Sequence, residues 1–121
     1  MITKQEYQNF TDASFTVLPL AREISAPGET PLSLFKKISD IKNNFLLESV
    51  EGGERWAQYS IIGFGCLDTI KVSGNLIETS IDGIQNSFEA EDPLQAVEEI
   101  TTQRHSPNLE NMPRFHGGYV G

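Results

Sequence analysis

The spacing of apolar and polar positions predicts two amphipathic helices. The first has apolar residues repeating at helical spacing, namely Leu34, Phe35, Ile38 and Ile41. It follows Thr30-Pro31, which supplies an N-cap residue and a first-turn proline, and Asp92-Pro93 supplies the same kind of start for the second. The second helix has a buried stripe of Leu94, Val97 and Ile100. We therefore predict helices near residues 31–42 and 92–103.

Short apolar runs bounded by turn residues predict strands in the middle of the chain. The run 45–47 is too short for a helix and ends near a glycine-rich segment, so we predict a buried strand. Strand-like runs follow, and they cover 59–70, 71–72, 76–81 and 84–88. Asp82-Gly83 is a strong hairpin signal because both residues tolerate positive φ. An antiparallel meander is expected here.

The two ends of the chain give weaker patterns. Pro19 lies inside residues 15–24, which favours an edge strand or an irregular extended segment. A polar connector, 105–113, leads to a predicted strand at 115–121. Together the elements predict an α+β fold, an antiparallel β-sheet with flanking helices. Because the chain stops within an apolar, glycine-rich run, we expect an N-terminal fragment of a longer protein.

Composition narrows the class of protein. The 121 residues are enough for one domain, and 38% hydrophobic with 21% charged residues is ordinary for a soluble globular protein. The net charge is −8 with only nine Lys and Arg, which argues against nucleic acid or an anionic membrane as partner. No apolar run approaches the roughly 20 residues that a membrane span needs, so we predict a cytoplasmic protein. The single cysteine, Cys66, has apolar neighbours that predict a buried thiol.

Candidate chemistry concentrates in one region. The two histidines, His105 and His116, lack zinc-site spacing, and no serine lies in a Gly-x-Ser-x-Gly context. By contrast, a strand that ends in Glu48-Ser49 can offer a carboxylate, a hydroxyl and backbone amides to a small zwitterion, while Leu46-Leu47 shelters its apolar part. This chemistry favours binding of an amino acid over catalysis. Glu48 could match the ligand's ammonium or pair with Arg55 as a structural brace.

Leu46-Leu47-Glu48-Ser49, the segment from Arg55 to Gly63 and residues 113–121 form three motifs in order, and together they resemble component I of anthranilate synthase. Leu46-Leu47-Glu48-Ser49 is similar to the family's L-L-E-S. Arg55, Tyr59, Ser60 and Gly63 are similar to the following R-Y-S-x-x-G, although Trp56-Ala57-Gln58 lengthens the approach to the tyrosine. The final residues 113–121 are similar to P-x-F-x-G-G-x-V-G.

The resemblance implies the two-layer fold of that family and its activity, which is the conversion of chorismate and ammonia to anthranilate and pyruvate with Mg²⁺. A glutamine amidotransferase component supplies the ammonia, and L-tryptophan inhibits as end product. For the tryptophan site, the resemblance implies a contact with Ser49, a backbone contact with Leu47 and an orienting role for Glu48. It adds a second group of candidates, namely Arg55, Tyr59 and Ser60.

The resemblance further implies that residues 1–121 form the regulatory region and that the catalytic, chorismate-binding domain lies outside this chain. No catalytic residue and no Mg²⁺ ligand is therefore assigned here, and the chain alone is expected to be inactive. Alternatives remain open at this point. They are component I of aminodeoxychorismate synthase, an isochorismate-forming relative, and a stand-alone amino-acid-binding module.

Overall fold

The computed structural model of the chain describes residues 3–48, 59–110 and 112–121. These residues form two compact units: 25–89, here called the sheet unit, and 1–24 with 90–121, called the terminal unit. The described elements are α1 (Lys4–Asp12), α2 (Pro31–Lys37), β1 (Phe45–Glu48), β2 (Ser60–Gly63), β3 (Thr69–Ser73), β4 (Leu76–Ile81), β5 (Ile84–Glu89) and α3 (Pro93–Thr101). Helices and antiparallel strands together confirm the α+β prediction. None of the described helices is long and apolar enough to cross a membrane.

In the terminal unit, α1 begins with a capping box that the sequence analysis overlooked. The Glu6 backbone N–H donates to Thr3 Oγ1 at 3.2 Å, and the Thr3 backbone N–H donates to Glu6 Oε2 at 2.7 Å. The hydrogen bond from the Thr3 backbone lowers the pKa of the Glu6 carboxyl. A threonine followed three residues later by a glutamate is the sequence signature of such a start, so α1 could have been predicted.

Helix α3 in the same unit confirms the second predicted helix, although it ends two residues before the predicted 103. Asp92 Oδ1 accepts a hydrogen bond from the Gln95 backbone N–H at 3.1 Å, and Pro93 occupies the first turn. Both features agree with the helix start predicted at Asp92-Pro93. The backbone N–H groups of a first helical turn have no intrahelical acceptor, and the aspartate side chain accepts a hydrogen bond from one of them.

Of the two structures predicted for residues 15–24, an edge strand or an irregular extended segment, the structure has the irregular extended segment. The backbone N–H groups of Thr16 and Val17 donate to the His105 carbonyl oxygen at 2.9 and 3.1 Å, and the His105 N–H donates to Thr16 Oγ1 at 2.7 Å. The rings of Phe10 and Phe15 meet edge to face, with centroids 6.3 Å apart. These contacts tie the segment to α1 and to the connector after α3.

The predicted final strand at 115–121 is wrong, because these residues form no strand with any described segment. An extended segment becomes a strand only when its backbone groups pair with a neighbour. Gly118 also has a φ of 136°, which lies outside the β region of L-residues. The apolar, glycine-rich run indicated an extended chain, but it could not show whether a partner strand lies beside it.

In the sheet unit, α2 begins at Pro31 with Thr30 as its N-cap, as predicted, and it ends at Lys37, before the predicted 42. A reciprocal capping box joins Thr30 to Ser33: the Thr30 N–H donates to Ser33 Oγ at 2.8 Å, and the Ser33 N–H donates to Thr30 Oγ1 at 3.1 Å. Glu29 accepts hydrogen bonds from Lys37 Nζ and from Ser33 Oγ. The Lys37 hydrogen bond, followed by that of Ser33, lowers the pKa of the Glu29 carboxyl.

This network predicts an acid-sensitive contribution to stability. A carboxyl whose pKa is lowered by folding stabilises the folded state above its unfolded pKa, and it loses that contribution as the pH falls through its lower folded pKa. We expect Glu29→Gln to lower the melting temperature followed by circular dichroism at pH 7, and to change it little at pH 3. Glu89→Gln, at the exposed end of β5, is the control and should match the unmodified chain at both values. An equal effect of Glu29→Gln at both pH values would show that the ionised carboxylate does not stabilise α2.

The strands β3, β4 and β5 form the predicted antiparallel meander. Asp82 and Gly83 connect β4 to β5 with φ values of 52° and 78°, which confirms the hairpin predicted from the Asp-Gly step. The Asp68 carboxylate accepts from the Asp82 N–H at 3.0 Å and so holds this turn. Lys71 and Glu78 lie directly opposite on β3 and β4, with their charged atoms 4.0 Å apart.

The core of the meander lies on β4. Ile77 is fully buried and lies between Val72 and Phe88, its direct partners on the two neighbouring strands. The predicted run 59–70 is two strands, because residues 64–68 belong to neither ladder. Cys66 lies in that interruption and is exposed, so the prediction of a buried thiol is wrong. The prediction relied on the apolar residues around Cys66, but some of them lie in residues 64–68, outside any described strand.

Candidate ligand-binding hairpin

Three of the predicted site residues, Leu47, Glu48 and Ser60, lie on the β1–β2 hairpin, and Tyr59 directly precedes β2. The two strands are antiparallel, and Phe45, Leu46, Leu47 and Glu48 lie opposite Gly63, Ile62, Ile61 and Ser60. Residues directly opposite each other share a face of the sheet, and successive residues alternate between faces. Glu48 and Ser60 therefore share one face, and Leu47 shares the other with Ile61.

The hairpin has a half-buried end and an exposed end. The residues with intermediate burial are Phe45, Leu46, Ile61, Ile62 and Gly63. At the opposite end Glu48 and Ser60 are exposed, Leu47 is 45% exposed and Tyr59 is 73% exposed. Four of the predicted site residues thus lie at the exposed end, although Leu47 is on the opposite face of the hairpin from Glu48 and Ser60.

Two predicted site residues, Ser49 and Arg55, lie outside the described residues. The same holds for Trp56-Ala57-Gln58, where the sequence departs from the family motif. The predicted pairing of Glu48 with Arg55 and the ligand contact of Ser49 therefore stay predictions. In sequence, Ser49 directly follows Glu48, the last residue of β1.

Gly63 has a packing role that explains the glycine of the R-Y-S-x-x-G segment. A Cβ atom built on Gly63 would lie 2.1 Å from Phe45 Cε1 and 2.2 Å from Phe45 Cζ. The ring of Phe45 therefore occupies the space that any other side chain at position 63 would need. Since Phe45 and Gly63 are direct partners, this contact closes the half-buried end of the hairpin.

Helix α2 contacts both strands of the hairpin, and two asparagines connect it to β1. The Asn44 side-chain amide donates to the carbonyl oxygens of Ile38, Ser39 and Ile41, in the residues that follow α2, and that of Asn43 donates to the Cys66 carbonyl oxygen at 3.0 Å. In the sequence, Asn43-Asn44 indicated only the boundary of a strand. No pattern in one sequence shows which carbonyl oxygens an asparagine will contact.

The side chains of the described hairpin residues are mainly apolar, and one hydroxyl group belongs to Ser60. They include one carboxylate, Glu48, and no histidine, because His105 and His116 both belong to the terminal unit. Across the described parts of the chain, no group of three or more His, Cys, Asp or Glu side chains could hold a metal ion. β1 pairs only with β2 among these parts, which leaves the backbone groups on its other edge without a sheet partner there.

Comparison with known proteins relates the chain to one family. It is 39% identical over 121 residues to anthranilate synthase component 1 of Pseudomonas aeruginosa and 38% identical over 121 residues to that of Neisseria meningitidis. It is 41% identical over 108 residues to that of Acetivibrio thermocellus. These alignments cover 99%, 100% and 88% of the chain. The chain belongs to the anthranilate synthase component 1 family.

The match extends over only part of the relatives. The chain spans about a quarter of their length, at 25%, 25% and 22% for these three proteins. No protein-family model matches the chain, and no solved structure matches it. Membership of the anthranilate synthase component 1 family confirms the resemblance drawn from the L-L-E-S, R-Y-S-x-x-G and final glycine-rich motifs.

Proposed function

We propose that the chain is the N-terminal regulatory region of an anthranilate synthase large subunit. The parent enzyme would convert chorismate and ammonia, released from glutamine, to anthranilate and pyruvate in tryptophan biosynthesis, with feedback inhibition by L-tryptophan. The observation that carries this proposal is identity of 36–41% across nearly the whole chain to proteins named anthranilate synthase component 1.

The exposed end of the β1–β2 hairpin is the proposed tryptophan site. Leu47 supports this role because its side chain is 45% exposed next to a sheet edge without a described partner, where backbone groups can bind the polar part of an amino acid. Glu48 and Ser60 lie opposite each other and offer a carboxylate and a hydroxyl. Ser49 is the proposed hydroxyl contact, with Arg55 and Tyr59 as further candidates.

The parent's other components act elsewhere in this proposal. Chorismate, Mg²⁺ and the glutamine amidotransferase component would be bound by residues outside the chain, and the chain alone would be inactive. No catalytic step is therefore assigned to a residue of this chain.

Inhibition from this hairpin requires the parent enzyme to exist in two states with different affinities for tryptophan. An effector shifts such an equilibrium only by its difference in affinity for the two states. Removing one ligand contact should therefore weaken inhibition more than it changes the uninhibited rate.

Replacement of Ser49 tests the proposed site. In the full-length parent enzyme, we expect Ser49→Ala to raise the tryptophan concentration for half-inhibition about tenfold, because loss of one hydrogen bond to a charged ligand costs that much affinity. The measurement is the rate of anthranilate formation over a series of tryptophan concentrations. Ser87→Ala makes the same change at an exposed position of β5 and should leave the inhibition curve unchanged. Coincident curves for Ser49→Ala and the parent would remove Ser49 from the site.

A further inference from the structure

The two asparagines between α2 and β1, here called the asparagine corner, hold the start of β1 from two sides. The Asn44 side-chain nitrogen lies 2.6 Å from the Ile41 carbonyl oxygen, 3.0 Å from that of Ser39 and 3.2 Å from that of Ile38. One amide group has two hydrogens, so the three acceptors share them. Ile38 is the residue that caps α2, and Ser39 and Ile41 lie in the turns that follow, so Asn44 binds the residues between α2 and β1.

Asn43 makes the second connection. Its backbone has a φ of 54°, in the left-handed region where asparagine is more tolerated than most residues. Its side-chain nitrogen donates to the Cys66 carbonyl oxygen at 3.0 Å, in the segment that follows β2. The asparagine corner therefore connects the beginning of β1 to the end of α2 and to the chain beyond β2.

These connections matter because β1 and β2 are only four residues long. A slip of one residue in the pairing of two strands moves every side chain to the opposite face. Here a slip would exchange the faces of Leu47 and Glu48 relative to Ser60. Four paired residues give the ladder itself little preference for one register, so contacts outside the ladder must select it. The Phe45 ring over Gly63 is one such contact, and the asparagine corner is another.

We propose that the asparagine corner sets the register of β1 on β2 and thereby the affinity of the hairpin for its amino-acid ligand. Asn43 and Asn44 are positioning residues in this account, and they act through the strand without touching the ligand. The part of this inference that concerns the ligand rests on the proposed function, whereas the part that concerns register does not.

Two variants of the full-length parent enzyme test the inference. Asn44→Asp keeps the size of the side chain but replaces the amide donor with a carboxylate, which can only accept hydrogen bonds and is repelled by the carbonyl oxygens that Asn44 binds. Asn43→Gly keeps the left-handed backbone without strain and removes only the donor. Asn75→Asp makes the same charge change in the turn between β3 and β4 and is the control.

We expect the tryptophan concentration for half-inhibition, measured against each variant's own uninhibited rate, to rise about tenfold in Asn44→Asp and about threefold in Asn43→Gly. The control should match the parent. Hydrogen exchange followed by mass spectrometry should show lost protection in peptides covering 45–48 and 60–63, with β3, β4 and β5 still protected. A merely structural role for the corner would lower protection in all five strands together and leave the half-inhibiting concentration unchanged.

The outcomes distinguish failure of the proposed role of the asparagine corner from failure of the proposed function. Unchanged tryptophan sensitivity in both variants, or equal loss of protection in every strand, would overturn the role of the asparagine corner and leave the proposed function standing. A parent enzyme that tryptophan does not inhibit would overturn the proposed function. In that case hydrogen exchange would still decide whether the corner sets the register. If Asn44→Asp does not fold, Asn43→Gly decides both points.

Discussion

Replacing Ile77 with alanine is expected to lower the free energy of unfolding of the chain by about 2–5 kcal/mol, the usual cost of removing a fully buried isoleucine side chain. Ile77 has no exposed surface and lies on the central strand of the meander, between Val72 and Phe88. The cavity left by the truncation would be lined by side chains from three strands, which cannot collapse into it without distorting both ladders. Urea denaturation followed by circular dichroism measures the change.

Ile84→Ala is the matched control for this prediction. Ile84 lies on β5, on the same face of the meander as Ile77, but its side chain is 64% exposed. The same truncation should therefore cost less than about 1 kcal/mol. Equal losses of stability in the two variants would mean that Ile77 is not the centre of the core of the sheet unit.

Gly63→Ala is expected to lower the free energy of unfolding by about 1–3 kcal/mol, the range typical of overpacking. The added methyl group would lie within 2.2 Å of two atoms of the Phe45 ring, so the ring must leave its place at the closed end of the hairpin. Phe45 is a rigid side chain, and it can move only by changing its rotamer or by shifting β1. The loss should be measured by the same denaturation experiment.

Two comparisons sharpen the result for Gly63. Gly117→Ala adds a methyl group where no atom lies within 4 Å and where φ is outside the left-handed region, so it should be nearly neutral. The double variant Gly63→Ala with Phe45→Leu should lose less stability than the sum of the two single variants, because the smaller side chain relieves the overlap. Additive losses would show that the ring of Phe45 does not occupy the space beside Gly63.

Local signals explain which elements the sequence could predict. Thr30-Pro31 and Asp92-Pro93 mark the starts of α2 and α3 because caps and first-turn prolines act within a few residues. The end of α2 was missed because the side-chain amide of Asn44 binds the carbonyl oxygens near it, and apolar spacing up to Ile41 gives no sign of that contact. Helix ends depend on such contacts more than on apolar periodicity.

The sequence predicted strands wrongly where their formation depends on pairing with a distant segment. The Asp82-Gly83 turn carries its own backbone requirement and therefore predicted the β4–β5 hairpin. Residues 64–68 and 115–121 have apolar residues but lie in no described ladder, since pairing depends on residues far away in the sequence. Short apolar runs thus indicated where the backbone is extended more reliably than where it pairs into a sheet.

The candidate site was predictable in part. A strand ending in Glu48, followed by a polar residue, indicated a binding surface, and in the structure Glu48 lies opposite Ser60 while Leu47 and Tyr59 are exposed at the same end of the hairpin. The choice of tryptophan as ligand came only from the resemblance to a family, because a carboxylate, a hydroxyl and an apolar side chain suit many amino acids.

The most direct test of the account is anthranilate fluorescence from the full-length parent protein, supplied with chorismate, an ammonium salt and Mg²⁺, with and without L-tryptophan. The account predicts that anthranilate forms and that tryptophan suppresses its formation. Consumption of chorismate without anthranilate would contradict the proposed reaction, and anthranilate formation that tryptophan leaves unchanged would contradict the proposed regulatory role of the hairpin.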